Sequence, residues 1–306
     1  MKVKKIVIAG GSGFLGNALI DFYLPKNYEI VVLSRNVKET GNDMLRYVQW
    51  NAKTLDLWLT ELEGIEALIN LTGKSVDCRY NEQNKAEILN SRVHSTEVLG
   101  KAIQACAVPP KVWINSSTAT IYKHSLDKEM TEVTGIIGDD FSMNVAKSWE
   151  ETFYNMKTPR TQKIALRTSI VLGKNGGAFI PLRNLAKVGL GGTQGNGNQK
   201  VSWIHEHDFC RAVDFLLTKS TAGIFNITAP NPIPNKKFMQ TLRRALKIPF
   251  GLPQPIWLLN IGARIIRTEA ELILKSRYVI PEKLLNAGFQ FTYPTAETAM
   301  KEIVQR

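Results

Sequence analysis

Ile6-Val7-Ile8-Ala9-Gly10-Gly11-Ser12-Gly13-Phe14-Leu15-Gly16 decides the fold of this 306-residue chain. A short apolar run rich in β-branched residues stops at glycines spaced G-x-x-G-x-x-G. The chain then passes straight into the helical spacing Leu15, Ala18, Leu19, Phe22. A strand before the glycines and a helix after them is the context that gives the pattern its meaning. Gly10 permits the tight turn, Gly13 lets the backbone approach a pyrophosphate, and Gly16 lets helix and strand pack closely. The start of the helix, at Phe14 and Leu15, presents unpaired N–H groups and a positive dipole end to phosphates.

The next strand, Glu29–Leu33, is followed by Ser34-Arg35. An acidic residue about 20 residues beyond the glycines would hold a ribose 2′-hydroxyl. A hydroxyl and a guanidinium stand there instead, and a guanidinium can bind a 2′-phosphate in bidentate fashion. The pair therefore predicts NADP(H) rather than NAD.

Strand and helix patterns alternate through the first half: strands at 47–50, 67–71, 111–115 and 163–172, helices at 55–62, about 84–106 and about 141–157. Units of this length imply a doubly wound parallel α/β sheet, the Rossmann architecture. Past Gly173 the texture changes. Residues 189–198 form a Gly/Asn-rich loop with few packing side chains, which is expected to act as a mobile lid. Val201–His205 reads as a short strand, residues 208–217 as a helix, and Ile224–Ile227 as a return to the sheet. Beyond Pro230 helices dominate, broken by prolines. The reading is a cofactor domain of residues 1–173 and about 202–228. A small, mostly helical, discontinuous C-terminal domain of about 174–201 and 229–306 completes it.

Composition narrows the function classes. Hydrophobic residues make up 44% and charged residues 22%, ordinary for a globular protein. No apolar stretch reaches the ~18 residues of a membrane span; residues 256–274 come nearest and are interrupted by Arg264, Arg267, Glu269 and Glu271. Cys78, Cys106 and Cys210 suit reduced thiols in the cytoplasm rather than a disulfide framework. The net charge of +12 raises the question of nucleic acid, but the positive residues lie dispersed along the sequence and no recognition motif accompanies them. Neither nucleic acid nor a membrane is expected as a partner, and a monomer or homodimer is.

Taken together, the motifs resemble the short-chain dehydrogenase/reductase superfamily in its extended form, and within it the atypical "epimerase family protein" branch, also labelled cell-division inhibitor. The resemblance runs nearly end to end. It rests on Gly10–Gly16, Ser34-Arg35, Asn70-Leu71-Thr72-Gly73, Glu87 through Ser91-Arg92, Ser116-Ser117-Thr118, Trp149-Glu150 and Leu166-Arg167-Thr168. It continues through Ser202-Trp203-Ile204-His205, Asn226–Pro232, Pro281–Leu285 and Phe291–Thr295. It implies dinucleotide contacts at Ser34, Arg35, Leu71, Thr72, Glu87 and Arg92. Gly73 and Ser117, beside these motifs, complete the expected set. Glu87 and Arg92 stand five apart on one helix and so point in different directions.

The same resemblance exposes a gap. Extended short-chain enzymes use a Ser/Thr, a Tyr, a Lys four residues later and a supporting Asn. Aligned on those motifs, Thr118 holds the hydroxyl position. Ser142 stands where Tyr belongs, Ala146 where Lys belongs, and Arg92 where Asn belongs. Lys147 is one residue off and projects about 100° around the helix. Tyr122 is the nearest phenol, and without a tuning partner its pKa is expected near ~10. Tyr122 and His124 are placed to reach a substrate from the loop, and His205 and His207 to line a pocket, whereas His205-Glu206-His207 lacks metal-ligand spacing. The expected function is an NADP(H)-dependent oxidoreductase acting on a small carbonyl or alcohol, with Thr118 and Tyr122 as candidate catalytic groups. A non-catalytic NADP(H) sensor and a nucleotide-sugar epimerase or dehydratase are the alternatives.

Overall fold

The computed structural model describes residues 3–219, 221–265, 269 and 271–305. Its first six strands are β1 (Lys4–Ala9), β2 (Tyr28–Ser34), β3 (Leu45–Gln49), β4 (Ala67–Asn70), β5 (Val112–Thr118) and β6 (Gln162–Thr168). Four short strands follow, β7 (Ile170–Gly173), β8 (Gly176–Gly177), β9 (Lys200–Val201) and β10 (Trp203–His205), then β11 (Gly223–Ile227) and β12 (Ile233–Pro234). The helices are α1 (Phe14–Tyr23), α2 (Glu82–Ala105), α3 (Phe141–Asn155), α4 (Phe179–Lys187), α5 (Glu206–Thr218), α6 (Asn235–Ala245), α7 (Ile256–Ile265), α8 (Glu271–Leu274), α9 (Glu282–Asn286) and α10 (Ala296–Gln305).

Seven strands make one sheet in the order β11-β6-β5-β4-β1-β2-β3, every pair parallel. Because side chains alternate along a strand, β1 feeds two layers at once. Ile6 and Ile8 pack with Leu19 and Ile20 of α1 and with Phe209 and Val213 of α5. Val7 and Ala9 pack with Val98 and Leu99 of α2 and with Phe153 of α3. These are the continuous apolar strands that a sheet covered on both faces requires.

The structure corrects the expected elements in four places, one of them the strand read over Val201–His205, which breaks at Ser202 into β9, paired with β12, and β10, paired with β7. The stretch read as a helix over 55–62 is a 3₁₀ turn over Leu57–Leu62, capped by the Asp56 side chain. The long helix begins earlier than expected, at Glu82, because the Asn81 side chain accepts from the Asn84 N–H and caps it. The single strand expected over 163–172 is two strands. At Ser169 the chain changes partners: the Ser169 N–H goes to Ile227 O and the Ile170 N–H to Ser202 O. β7 then pairs with β10 and β8 in a second, three-stranded sheet.

A separate core gathers Phe179 of α4, Phe238, Met239 and Leu242 of α6, and Ala299, Met300 and Ile303 of α10. β10 joins the two cores by strand alternation, with Trp203 entering this one and Ile204 the main one. The C-terminal region is not a closed unit, since Leu284 of α9 and Phe289 return to the main core. Among the described residues no helix is long and apolar enough to cross a membrane.

Candidate cofactor and active site

Sheet order reverses at β1, with β2 and β3 running out on one side and β4 beginning the other. Open α/β sheets take ligands in the crevice above such a switch point. There the structure has a cleft in two connected parts of about 890 and 560 Å³, which share Gly10, Gly13, Leu71, Thr72 and Gly73.

The glycine turn forms the floor. Gly10 has φ +74°, and a Cβ there would sit 2.9 Å from the Thr72 Cα. A Cβ on Gly16 would run into the carbonyl of Gly11, so helix and turn meet as closely as the spacing implies. Gly13 precedes α1 with nothing within 4 Å of where its Cβ would stand. No side chain caps α1, which leaves its first-turn N–H groups for a ligand. The Thr72 hydroxyl oxygen is buried beside this turn without a hydrogen-bond partner among the described residues. The Asn70 side chain holds the Thr72 N–H at 3.0 Å and is itself fixed by the Asn115 Oδ1 at 2.7 Å. An open cradle with an orphaned hydroxyl fits a dinucleotide pyrophosphate.

The larger part of the cleft contains Ser34, Arg35 and Glu87. Ser34 is buried, whereas Arg35 is exposed and forms no ion pair among the described residues. Glu87 is held below the usual carboxylate range by its hydrogen bond and ion pair with Lys74. Trp50, Asn51, Lys53 and His94 line the same end and were not singled out in the sequence. The available signal was that Trp50–Lys53 follow β3, at the same sheet edge as Ser34.

The smaller part contains Phe14, Leu15, Gly16, Arg92, Ser117, Thr118 and Ser142, with Tyr80, Phe141, Val145 and Trp149 as apolar and aromatic walls. Glu87 and Arg92 thus serve opposite ends of the cleft, as their spacing implies. The Arg92 guanidinium lies 5.1 Å over the Trp149 ring and donates to the Ile88 and Lys74 carbonyls at 2.8 and 3.1 Å. Burial brings its pKa down to about 10, so it remains a cation at neutral pH. Thr118 Oγ1 accepts from the Thr120 N–H. The Ser117 hydroxyl points inward and donates to Glu150 at 2.6 Å. Ala146 is fully buried, and Lys147 does not line the cleft.

Several expected reacting groups lie elsewhere. Tyr122 is 1% exposed and lines neither part of the cleft. Its hydroxyl donates to Asn226 Oδ1 and accepts from Arg167, both at 2.9 Å. Burial pushes its pKa up, partly offset by Arg167. It is therefore a member of the core, not a group open to substrate. His124 accepts the Ser276 N–H and ties two loops together. The loop expected as a lid is also pinned: Gln194 is 1% exposed and exchanges hydrogen bonds with Asn235, while Gly192 and Gly195 donate to Leu252 and Gln254. No described residue from 189 to 232 lines the cleft.

His205 is fully buried, its Nδ1 accepting from the His207 N–H and its Nε2 lying 2.9 Å from Glu302. Because Nδ1 is an acceptor, Nε2 carries the proton and donates to Glu302 in the neutral ring. Burial lowers the His205 pKa, with Glu302 opposing. A depressed pKa in the folded state means that protons favour the unfolded chain. Stability should therefore fall as pH drops below about 6.5, the unfolded value, and His205→Gln should flatten that slope. Thermal melts across this range read the difference, and an unchanged slope in the variant would remove His205 as its source.

The cleft, the glycine turn and the sheet order find their counterpart in a sequence family: residues 6–228 match the model of the NAD dependent epimerase/dehydratase family. The chain belongs to this family. Residues 255–303 match a domain of unknown function, DUF1731. "Epimerase family protein YfhF" of Bacillus subtilis is 33% identical over 303 residues, covering 98% of this chain and 97% of that one. The human epimerase family protein SDR39U1 is 30% identical over 304 residues, covering 98% of this chain and 99% of that one. The crystal structure of human SDR39U1 with NADPH superimposes with a TM-score of 0.88 at 30% identity, covering 99% of each chain. The UDP-N-acetylglucosamine 4-epimerase of Bacillus cereus shares the fold, with a TM-score of 0.77 at 19% identity over 99% of this chain and 98% of that one. Within the family frame, Ser142 is at the cleft where the resemblance places a catalytic tyrosine, and Ala146 is sealed in the core.

Proposed function

We propose that the protein binds NADP(H) across the cleft and passes hydride between it and a small carbonyl or alcohol. One observation carries this reading. A single cleft joins Ser34 and Arg35, which has no carboxylate partner among the described residues, to Thr118 and Ser142 over the same open glycine turn. The human relative whose structure contains NADPH supports the choice of dinucleotide. In this reading Arg35 and Ser34 hold the 2′-phosphate, and the α1 N-terminus with Gly13 holds the pyrophosphate.

The bound cofactor supplies the hydride chemistry. The protein contributes position and a dry, aromatic-walled site. In this reading Thr118 turns its hydroxyl from Thr120 Oγ1, to which it donates at 3.0 Å, to the reacting oxygen, and Arg92 stabilises negative charge developing there. The reading keeps residues 1–173 and about 202–228 as the cofactor domain and the remainder as the cap. It also places the protein in the cytoplasm, in keeping with three free cysteines.

Titration calorimetry should find NADPH bound more tightly than NADH, with Arg35→Ala losing about 1.5–3 kcal/mol toward NADPH, roughly 10- to 150-fold. Equal affinities in the unmodified protein would overturn the assignment. The missing Tyr and Lys also keep a sensor in view, and a panel of carbonyls offered to the NADPH-loaded protein separates the two. Loss of nicotinamide fluorescence marks a reductase, and its retention with every carbonyl marks a sensor.

A further inference from the structure

Along the sequence the basic residues look scattered, but the acidic ones do not. Residues 152–205 and 215–268 contain eight Lys or Arg each and no Asp or Glu. The net charge of +12 arises wholly in these two stretches. Folding brings α4 from the first against α6 from the second in the C-terminal core, and the segment 248–265, including α7, follows directly.

On this lobe the structure leaves apolar side chains uncovered. Phe250 and Trp257 are each 64% exposed, Leu252 is 57%, Ile256 54% and Ile261 50%. On α7 the exposed Ile256, Trp257, Asn260, Ile261 and Arg264 fall within an arc of about 140° at 100° per residue, whereas Leu259 and Ala263 face inward. Phe250 continues the patch toward α4, 4.0 Å from where a Cβ on Gly189 would stand. Exposed basic residues flank it: Lys187 ends α4, Arg244 and Lys247 precede Phe250, and Arg264 ends the exposed face of α7.

We propose that this face seats the protein on an anionic lipid surface, with α7 lying in the plane of the interface. An exposed Trp and Phe among aliphatic side chains, flanked by cations and free of carboxylates in its own segments, is the composition that partitions into such an interface. A second copy of the chain is a poor occupant, because a symmetric contact would bring like charges together. Nucleic acid would match the charge but gains nothing from Leu252, Ile256 and Ile261. The proposal stands apart from the reading of the cleft and does not depend on it.

The full-length protein is tested by flotation with phosphatidylcholine vesicles, with and without about one quarter phosphatidylglycerol. Binding is expected only with the anionic lipid, and raised salt should weaken it. Trp257→Ser with Phe250→Ser should weaken it at least tenfold. Arg244→Gln with Lys247→Gln should weaken it roughly 25-fold, at about fivefold per charge. Thermal melts of the variants should match the parent, because all four side chains are exposed. Failure to bind anionic vesicles would overturn the proposal. So would lipid binding that survives both pairs of substitutions, retention on RNA or heparin alone, or a dimer that the Trp257 and Phe250 substitutions dissolve.

Discussion

Replacing Glu150 by Ala is expected to lower stability by about 3–5 kcal/mol, because it strands a buried cation. Arg167 on β6 and Glu150 on α3 are each nearly inaccessible, with side chains 8% and 10% exposed. They meet in a bidentate pair, Nε to Oε1 at 2.8 Å and Nη2 to Oε2 at 2.7 Å. Burial alone would push the Arg167 pKa down, but the hydrogen bonds and charge of Glu150 more than reverse this. Ser117 and Tyr122 complete the network, and Asn226 anchors Tyr122 from β11. Tyr122→Phe removes hydrogen bonds but leaves the charges paired, so its cost should be smaller, about 1–3 kcal/mol. Urea unfolding reads both as a lower midpoint at constant slope. A loss below about 1 kcal/mol for Glu150→Ala would mean that the pair is not the keystone of this layer.

Ala146→Lys should destabilise the protein by about 3 kcal/mol, even though it restores the lysine that the family resemblance leaves missing. Ala146 is fully buried in a small core with Ile121, Tyr122, Met130 and Val279. A lysine there adds three carbons and a nitrogen to a packed space. It also sets an ammonium beside Tyr122, whose hydroxyl already faces the Arg167 cation. Adding Ser142→Tyr, at a position that does line the cleft, should therefore fail to rescue activity while Ala146→Lys is present. Comparing Ser142→Tyr alone with the double variant in urea melts and carbonyl turnover separates the two effects. A stable, active double variant would show that the core can open for the lysine.

The parts of the site built from one stretch of chain were legible in the sequence. Gly10, Gly13 and Gly16 had local reasons for being glycine, and the structure shows the strain or close approach at two of them. Ser34 and Arg35 followed from a fixed distance beyond that turn. Thr118 and Ser142 could be placed from the motifs around them. What misled was chemistry read without partners. Tyr122 looked like a spare acid because Arg167 and Asn226, 45 and 104 residues away, do not show as neighbours in a linear chain. His205 looked like a pocket residue until Glu302, 97 residues on, took its second nitrogen. The loop at 189–198 looked mobile because its glycines were counted without Asn235 and Leu252, which hold it.

Local rules of period, turn and cap act over a few residues, and they were enough to set the strand–helix alternation, the glycine cradle and the hydroxyl–guanidinium pair after β2. Those features need no knowledge of what the chain touches later. The tertiary structure alone decided which polar groups are spent inside the core and which face the cleft. It divided the stretch 163–172 between two sheets and gathered scattered lysines and arginines around an exposed apolar face. Burial and pairing depend on contacts between residues far apart in sequence, and only the closed fold creates them.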